Sequence, residues 1–330
     1  LVSGILRCLF RRQFANVMQF VFGRQAQFHS PHVLTIGNFD GVHIGHQRVI
    51  RQAQEIAACE NLPLTVLLFE PQPKEYFALH HGQDAPARLM SLKAKVDALK
   101  SLGVDSIWCL KFADIRPMSS AQFVKNLVVD KQVKRLVVGD DFRFGCDREG
   151  DFQYLSERGS QLGFSVAQSE THRIDGERIS SSRIRQLLNA HDFETASKLL
   201  GRPYSLCGRV NYGQQLGRKI GFPTANIPIF HTPPLHGVYG CTVRVPKEGL
   251  FTGVANIGSR PTVSGQKVRL EVHLHGFDAE LYGLDLNVTP RVFIRAEQKF
   301  ESIDGLTEQI RLDNQKAQEM LSVLTGSEIA

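Results

Sequence analysis

Two histidines, three residues apart, are the first residues in the sequence that could do chemistry. His43 and His46 lie in TIGNFDGVHIGHQ (35–47), between an apolar β-branched stretch and a helical one. Near a helix start both rings can face one ligand, and the free N–H groups there favour phosphate. Gly37 and Gly45 let the backbone approach that ligand closely. The pattern predicts stabilisation of charge on a phosphate leaving group; the simpler alternative is two ordinary histidines near a helix cap.

A second segment, GFPTAN (221–226), offers hard oxygen ligands for a metal ion. Thr224 and Asn226 are two residues apart. Alternate side chains of an extended segment share a face, so both oxygens can point at one Mg²⁺. Gly213 and Gly217, just upstream, permit a tight flap. The alternative interpretation is a glycine-rich hairpin that ends in a proline turn.

A carboxylate in the middle of an apolar strand is the third candidate. Glu271 lies in VRLEVHLHGF (268–277), flanked by Leu270 and Val272. Because side chains alternate along a strand, this carboxylate can point outward to solvent. A positioned carboxylate can also act as a general base, which typically contributes about 10²–10⁴-fold in rate.

The elements that must position the histidines alternate between strand and helix. Leucines and Val96 recur at helical spacing from Leu89 to Leu102, and further helices are predicted at 45–59 and 119–130. Such alternation predicts an α/β fold, a doubly wound parallel sheet that binds ligands beyond the carboxyl ends of its strands. The predicted strands are 32–39, 64–70, 106–112, 135–142 and 164–170.

The pattern changes after residue 180. Two short helices are followed, over 204–296, by short strands separated by Gly and Pro, which predicts a small antiparallel β-barrel. A final helix is predicted at about 304–322. We therefore expect domains at 31–187 and 188–330, preceded by an uncertain leader at 1–30.

Composition and charge indicate an ordinary globular protein. The chain has 330 residues, 42% hydrophobic and 22% charged, enough for about two domains of roughly 150 residues. The net charge of +6 could indicate a nucleic-acid binder. However, residues 1–30 hold four arginines and no acidic residue, and the remainder is nearly balanced. We therefore expect no nucleic-acid partner; the oligomeric state is not predicted.

The remaining features concern the leader and the compartment. The arginine-containing leader loosely resembles a targeting peptide, but we prefer Met18 as the true first residue, because MQFVFG (18–23) has the pattern of a short strand. The six cysteines are scattered and include no CxxC pair. This pattern indicates reduced thiols in a cytoplasmic protein. No apolar run approaches the ~18–20 residues that span a bilayer, so no membrane association is expected.

The motifs taken together resemble one family. GNFDGVHIGH (37–46) is similar to the signature of the nucleotidylyltransferase superfamily, in its bacterial flavin-adenylylating branch. FEPQP (69–73), GDDFRFG (139–145) and ISSSRIR (179–185) agree with it, with Ser182 where Thr is usual. GQQLGRKIGFPTANI (213–227) resembles the ATP and Mg²⁺ loop of riboflavin kinases. The resemblance covers about 31–325 and is to the bacterial bifunctional riboflavin kinase/FAD synthetase family.

The resemblance implies roles for further residues. In the first domain it implies that Asn38 belongs to the site and that Phe69 and Asp141 line the flavin side, although a core aromatic is an equal alternative for Phe69. The residues implied to hold the triphosphate are Ser181, Ser182 and Arg185. Taken alone, ISSSRIR could be just a serine N-cap. In the barrel, Arg218 and Lys219 are implied to put positive charge near phosphates.

The family's chemistry is two ATP-dependent, Mg²⁺-assisted steps. Riboflavin would be phosphorylated to FMN in the barrel, with Glu271 taking the proton of the 5′-hydroxyl. The phosphate of FMN would then attack the α-phosphorus of ATP to give FAD and pyrophosphate. The protein would catalyse this step by positioning the substrates and neutralising developing charge, and no protein nucleophile is needed. Two alternative interpretations stay open. The first is a nucleotidylyltransferase that uses another acceptor and whose barrel only senses flavin. The second is a nucleic-acid-binding protein, whose affinity would depend strongly on salt.

Overall fold

The computed structural model describes residues 18–146, 148–174, 176–213, 217, 221–262 and 265–324, without the side chains of 259–267. The chain divides into two compact units. The first runs through Pro86 and resumes over Lys95–Ser180. The second comprises Ala87–Ala94 and the chain from Ser181 onward.

A six-stranded parallel sheet forms the centre of the first unit. Its order is β1-β4-β3-β2-β5-β6. Every residue of β2 and β3 is buried, as expected for a sheet covered on both faces. The order of the strands reverses between β2 and β5, which is where ligands bind in such sheets. The strands are β1 (Gln19–Phe22), β2 (His32–Ile36), β3 (Leu64–Phe69), β4 (Ser106–Leu110), β5 (Val133–Gly139) and β6 (Ser165–Ser169).

Helices connect these strands. The helix predicted at 119–130 is α-helical for one turn only and continues as a π-helix, Val124–Val129. Leu89 lies before the start of α3, so the apolar stripe predicted there begins outside the helix. A short hairpin, β7 (Arg173–Ile174) and β8 (Glu177–Arg178), follows the sheet. The helices are α1 (Ile44–Glu60), α2 (Pro73–His80), α3 (Leu92–Ser101), α4 (Phe112–Ile115), α5 (Ser120–Phe123) and α6 (Phe152–Leu162).

The second unit is a nearly closed antiparallel barrel of order β10-β13-β12-β11-β14-β9. Its edge strands approach each other closely: Asn211 N donates to Asn226 O at 2.8 Å, and a Cβ on Gly208 would lie 2.5 Å from Ile227. The elements are α7 (Ser181–Asn189), α8 (Phe193–Leu200), β9 (Leu206–Arg209), β10 (Ala225–Ile229), β11 (Gly237–Val245), β12 (Gly249–Thr262), β13 (Gly265–Leu274), β14 (Asp285–Arg295) and α9 (Ile303–Ser322).

The C-terminal helix covers part of the outside of this barrel. Ala317 and Leu321 of α9 pack against Val238 and Ile294. The predicted fold class, a doubly wound parallel sheet followed by a small antiparallel barrel and a terminal helix, is confirmed. Over the residues that the structure describes, none of the helices is both long and apolar enough to cross a membrane.

Candidate active sites

The loop between β2 and α1 carries the first candidate site. Two non-glycine residues in it, Phe39 and Val42, have positive φ angles of 46° and 41°. This region is unfavourable for a β-branched residue such as Val42, and residues held there cluster at functional sites. The strained loop places His43 at the N-cap of α1.

The two predicted histidines lie side by side at the start of α1. Their rings stack with centroids 3.5 Å apart and planes 15° from parallel. His43 Nδ1 accepts from His46 N at 3.3 Å. Burial, together with the charges of His43 and Lys95, holds the pKa of His46 well below its usual range. A Cβ on Gly45 would lie 3.2 Å from the His43 ring, so the absence of a side chain there leaves room for the stack.

Sequence reasoning missed a buried lysine that contacts this loop. Lys95 is 1% exposed, and its Nζ donates to Asn38 O at 2.6 Å. The signal was present, since Lys95 falls on the apolar stripe of α3 between Leu92 and Leu99. A charged residue on such a stripe needs a partner within the fold.

Asp141 and Phe69, the two predicted flavin-side residues, lie in different surroundings: one is exposed and the other is buried. Asp141, which follows β5, is exposed and accepts from Arg178 Nη2 at 2.6 Å. Asp140 contacts the same guanidinium at 3.5 Å and also accepts from Thr171 Oγ1. Phe69, at the end of β3, is 8% exposed and belongs to the core of the unit. The flavin-side roles of Phe69 and Asp141 stay predictions.

The serine-rich motif begins α7 in the second unit. Ser181 is the first helical residue, Ser182 is exposed, and Ile184 anchors the helix in the core. Arg185 Nε donates to Ala87 O at 2.5 Å, within the same unit. A phosphate-binding role for Ser181, Ser182 and Arg185 stays a prediction.

A cavity of about 280 Å³ in the second unit brings together the barrel candidates. Thr224, Asn226 and Glu271 all line it, and so does Gly217. Residues of α9, including Leu306 and Ile310, complete its wall. Thr224 and Asn226 therefore share one cavity with Glu271, which is distant from them in the sequence.

Glu271 points away from the barrel core. The neighbours that alternate with it, Leu270 and Val272, are fully buried inside the barrel. The carboxylate lies on the outer face, as the alternation predicted, but it lines the cavity beside α9 and its side chain is 30% exposed. Glu271 Oε1 is 3.5 Å from Arg269 Nη1.

A row of polar residues crosses the sheet at Glu271. Asn226 of β10 and Asn256 of β12 pair in register with it on either side. Cross-strand partners on one face have Cβ atoms about 4.5–5.5 Å apart, so the three side chains are immediate neighbours. Asn256 Oδ1 is buried without a hydrogen-bond partner in the structure, whereas its Nδ2 lies 3.5 Å from Glu297 Oε1. Sequence reasoning missed Asn256, because register is a long-range property.

Thr224 and Asn226 also line a second cavity, of about 210 Å³, so they form a wall between the two spaces. Asn226 Nδ2 is 3.5 Å from Thr224 O. A Cβ on Gly213 would lie 2.5 Å from Asn226 Nδ2, and one on Gly217 would lie 2.2 Å from Phe222 O. Both glycines thus allow close approach. Arg218 and Lys219 lie outside the described residues.

An ion pair that the sequence did not reveal attaches α9 to the barrel beside the first cavity. Arg295 Nη2 donates to Asp313 Oδ2 at 2.7 Å, and Arg295 Nε donates to Asp313 Oδ1 at 2.9 Å. Asp313 is 3% exposed and also accepts from Gln309 Nε2 at 3.0 Å. The pair fixes the helix that forms one wall of the cavity.

Comparison with known proteins assigns each unit to a known family. The family model described as FAD synthetase matches residues 25–183, and the one described as riboflavin kinase matches residues 200–321. A solved structure named a macrolide-efflux protein, from Streptococcus pneumoniae, superposes with a TM-score of 0.75 at 27% identity, covering 93% of this chain and 100% of that one. The efflux activity in that name applies to that protein alone.

Curated relatives match over nearly their whole length. The bifunctional riboflavin kinase/FMN adenylyltransferase of Escherichia coli K12 is 45% identical over 88% of this chain and 93% of its own. A protein of the same description from Haemophilus influenzae is 45% identical over 86% of this chain and 92% of its own. The chain therefore belongs to the family of bifunctional riboflavin kinase/FMN adenylyltransferases.

Proposed function

We propose that the chain makes FAD from riboflavin in two ATP-dependent steps. The barrel phosphorylates riboflavin to FMN and releases ADP, and the α/β unit transfers AMP to FMN and releases pyrophosphate. Membership of the family supports both activities. The observation that carries the proposal is the convergence of Thr224, Asn226 and Glu271 on one cavity of the barrel.

In the kinase step Glu271 acts as the general base. Its carboxylate removes the proton of the riboflavin 5′-hydroxyl, and the oxygen attacks the γ-phosphorus of ATP while the bond to the β-phosphate oxygen breaks. The base must contact the acceptor hydroxyl, so riboflavin occupies the first cavity, which Glu271 lines. The second cavity, on the other side of Thr224 and Asn226, is left for the nucleotide.

The residues between the two cavities fit a magnesium ion. Thr224 and Asn226 carry hard oxygen atoms on adjacent parts of one extended segment, and Mg²⁺ prefers such ligands together with phosphate oxygens. Bound there, the ion would neutralise charge on the phosphates of ATP. The close approach of Gly213 to the Asn226 amide supports this, because any larger residue would displace the amide.

In the adenylyltransferase step His43 and His46 bind the phosphates of ATP. An oxygen of the FMN phosphate attacks the α-phosphorus, and the pyrophosphate departs with the bonding electrons. The low pKa of His46 keeps that imidazole neutral at pH 7, so it serves as a hydrogen-bond donor to developing negative charge rather than as a cation.

A product assay tests both assignments. The purified chain receives riboflavin, ATP and Mg²⁺, and the flavins are separated by chromatography. Wild type should yield FAD, Glu271→Gln should leave riboflavin unconverted, and the His43→Ala/His46→Ala double variant should stop at FMN. Glu301→Gln, the same change at an exposed position, is the matched control and should behave as wild type.

Two results would contradict the proposal. FMN formation by Glu271→Gln at the wild-type rate would remove the base assignment and favour a flavin-sensing barrel. A wild-type chain that makes FMN from riboflavin but no FAD would remove the adenylyltransferase activity. Feeding FMN directly separates the two steps, because only the second can then operate.

We also propose a cytoplasmic protein whose partners are small molecules. The cysteines within the described residues are free thiols, as a reducing compartment requires. The near-balanced charge beyond residue 30 supports the absence of nucleic-acid binding. Fractionation of cells and a salt titration of DNA binding would test these two points.

A further inference from the structure

Lys95 is a fully buried lysine for which the proposed chemistry has no role so far. It is 1% exposed and ranks among the largest fully buried side chains of the described chain. Its neighbours on the same stripe of α3, such as Leu99, are apolar. Burying an ammonium group costs far more free energy than burying a methionine of similar length, so the charge needs a compensating interaction.

One contact of the buried ammonium group leads directly to the histidine loop. Lys95 Nζ donates to the carbonyl oxygen of Asn38 at 2.6 Å, a short charge-assisted hydrogen bond. Asn38 lies immediately before Phe39, the first of the two residues with positive φ. The bond thus holds the loop next to one of its two non-glycine residues with positive φ.

The same ammonium group acts on the histidine pair. The charged groups that act on His46 are His43, from the cap of α1, and Lys95, from α3. His46 Nδ1 is buried and has no hydrogen-bond partner in the structure. The positive charge of Lys95 therefore opposes protonation of His46, whose ring stacks on that of His43 at 3.5 Å.

We infer that Lys95 is a positioning residue for adenylyl transfer, holding the Asn38 carbonyl so that the loop presents His43 and His46 to the phosphates of ATP. The inference rests on the proposed adenylyltransferase activity. Lys95 acts through the loop, and neither a contact with substrate nor a proton transfer is assigned to it.

The test compares three variants in the conversion of supplied FMN and ATP to FAD. Lys95→Met keeps the length and removes the charge and the donor, Lys95→Arg keeps both, and Lys100→Met makes the same change at an exposed position of α3. For Lys95→Met we expect kcat/KM to fall about 100-fold, the loss that a misplacement of about 1 Å in the reacting groups can cause. The acidic limb of its pH–rate profile should move to higher pH, because His46 loses a neighbouring cation. Lys95→Arg should recover at least a tenth of the wild-type rate, and Lys100→Met should match wild type.

Folding is followed independently in the same samples. Trp108 is the single tryptophan of the chain and is fully buried in the first unit, so its emission reports whether that unit is folded. Lys95→Met with native emission and wild-type kcat/KM would overturn the inference. Two other results would show that Lys95 only packs in the core. One is a lower rate for Lys95→Met without a shift of its pH–rate profile. The other is an equal loss of rate in Lys95→Met and Lys95→Arg, accompanied by altered emission. A wild-type chain that makes no FAD from FMN would instead defeat the proposed activity itself.

Discussion

Adding a single methyl group at Gly213 should disable the kinase and leave the rest of the protein intact. A Cβ at this position would lie 2.5 Å from Nδ2 of Asn226, and 2.6 Å from its Cγ. Ordinary contacts begin at 3.4 Å, so in Gly213→Ala the amide must retreat by roughly 0.9 Å. The amide is the end of a flexible side chain, so the movement costs little folding free energy. A displacement of about 1 Å at a reacting centre can nevertheless lower the rate about 100-fold.

The assay measures FMN formation from riboflavin and FAD formation from supplied FMN in one preparation. We expect Gly213→Ala to lose about 100-fold in the first rate and nothing in the second. A double-mutant cycle identifies the cause, because the effects of two contacting residues are not additive. In an Asn226→Ala background, where no amide remains to be displaced, Gly213→Ala should change the first rate less than twofold. Wild-type kinase activity in Gly213→Ala, or an undiminished loss in the Asn226→Ala background, would refute the reasoning.

Two further predictions concern stability. Burial lowers the pKa of His32 to about 4, so the stability that the neutral ring contributes is complete above its unfolded pKa of 6.5 and is lost as the pH falls towards 4. From pH 7.5 to pH 5 the free energy of unfolding of wild type, followed by Trp108 emission, should fall about 2 kcal/mol more than that of His32→Leu; equal falls would contradict the assignment. Asp313→Ala leaves Arg295 without its partner and should lower the free energy of unfolding by about 3 kcal/mol in a urea titration followed by circular dichroism. Glu308→Ala removes an exposed ion pair and should lower the free energy of unfolding far less. Similar losses in the two variants would contradict the reasoning from burial.

The parts of the fold that depend on local pattern were predicted well. The strand predicted at 64–70 spans Leu64–Phe69, the helix predicted at 45–59 spans Ile44–Glu60, and the final helix predicted at about 304–322 spans Ile303–Ser322. Apolar runs, helical spacing and glycine or proline breaks are local signals, so they mark elements without knowledge of their partners. The π-helix at Val124–Val129 escaped prediction because its apolar residues fit an ordinary helix equally well.

The candidate residues of the barrel show where local reasoning ends. Thr224 and Asn226 were recognised together because they are two residues apart, whereas the proximity of Glu271 to them depends on the pairing of β10 with β13. The proximity of Asn256 depends in the same way on the pairing of β12 with β13. Strand register is set by contacts between distant segments, and a shift of one residue would move each of these side chains to the other face.

By itself, the sequence determined the two kinds of unit, their order along the chain and the residue types able to bind phosphate or act as a base. The tertiary structure decided that the outward-facing carboxylate of Glu271 lines a cavity beside α9, and that Lys95 extends from an apolar helix stripe to the carbonyl of Asn38. The physical reason is that burial and charge compensation are properties of a three-dimensional environment. A lysine or glutamate has the same local signal on an exposed surface as in a site, and only the packing of distant segments distinguishes the two.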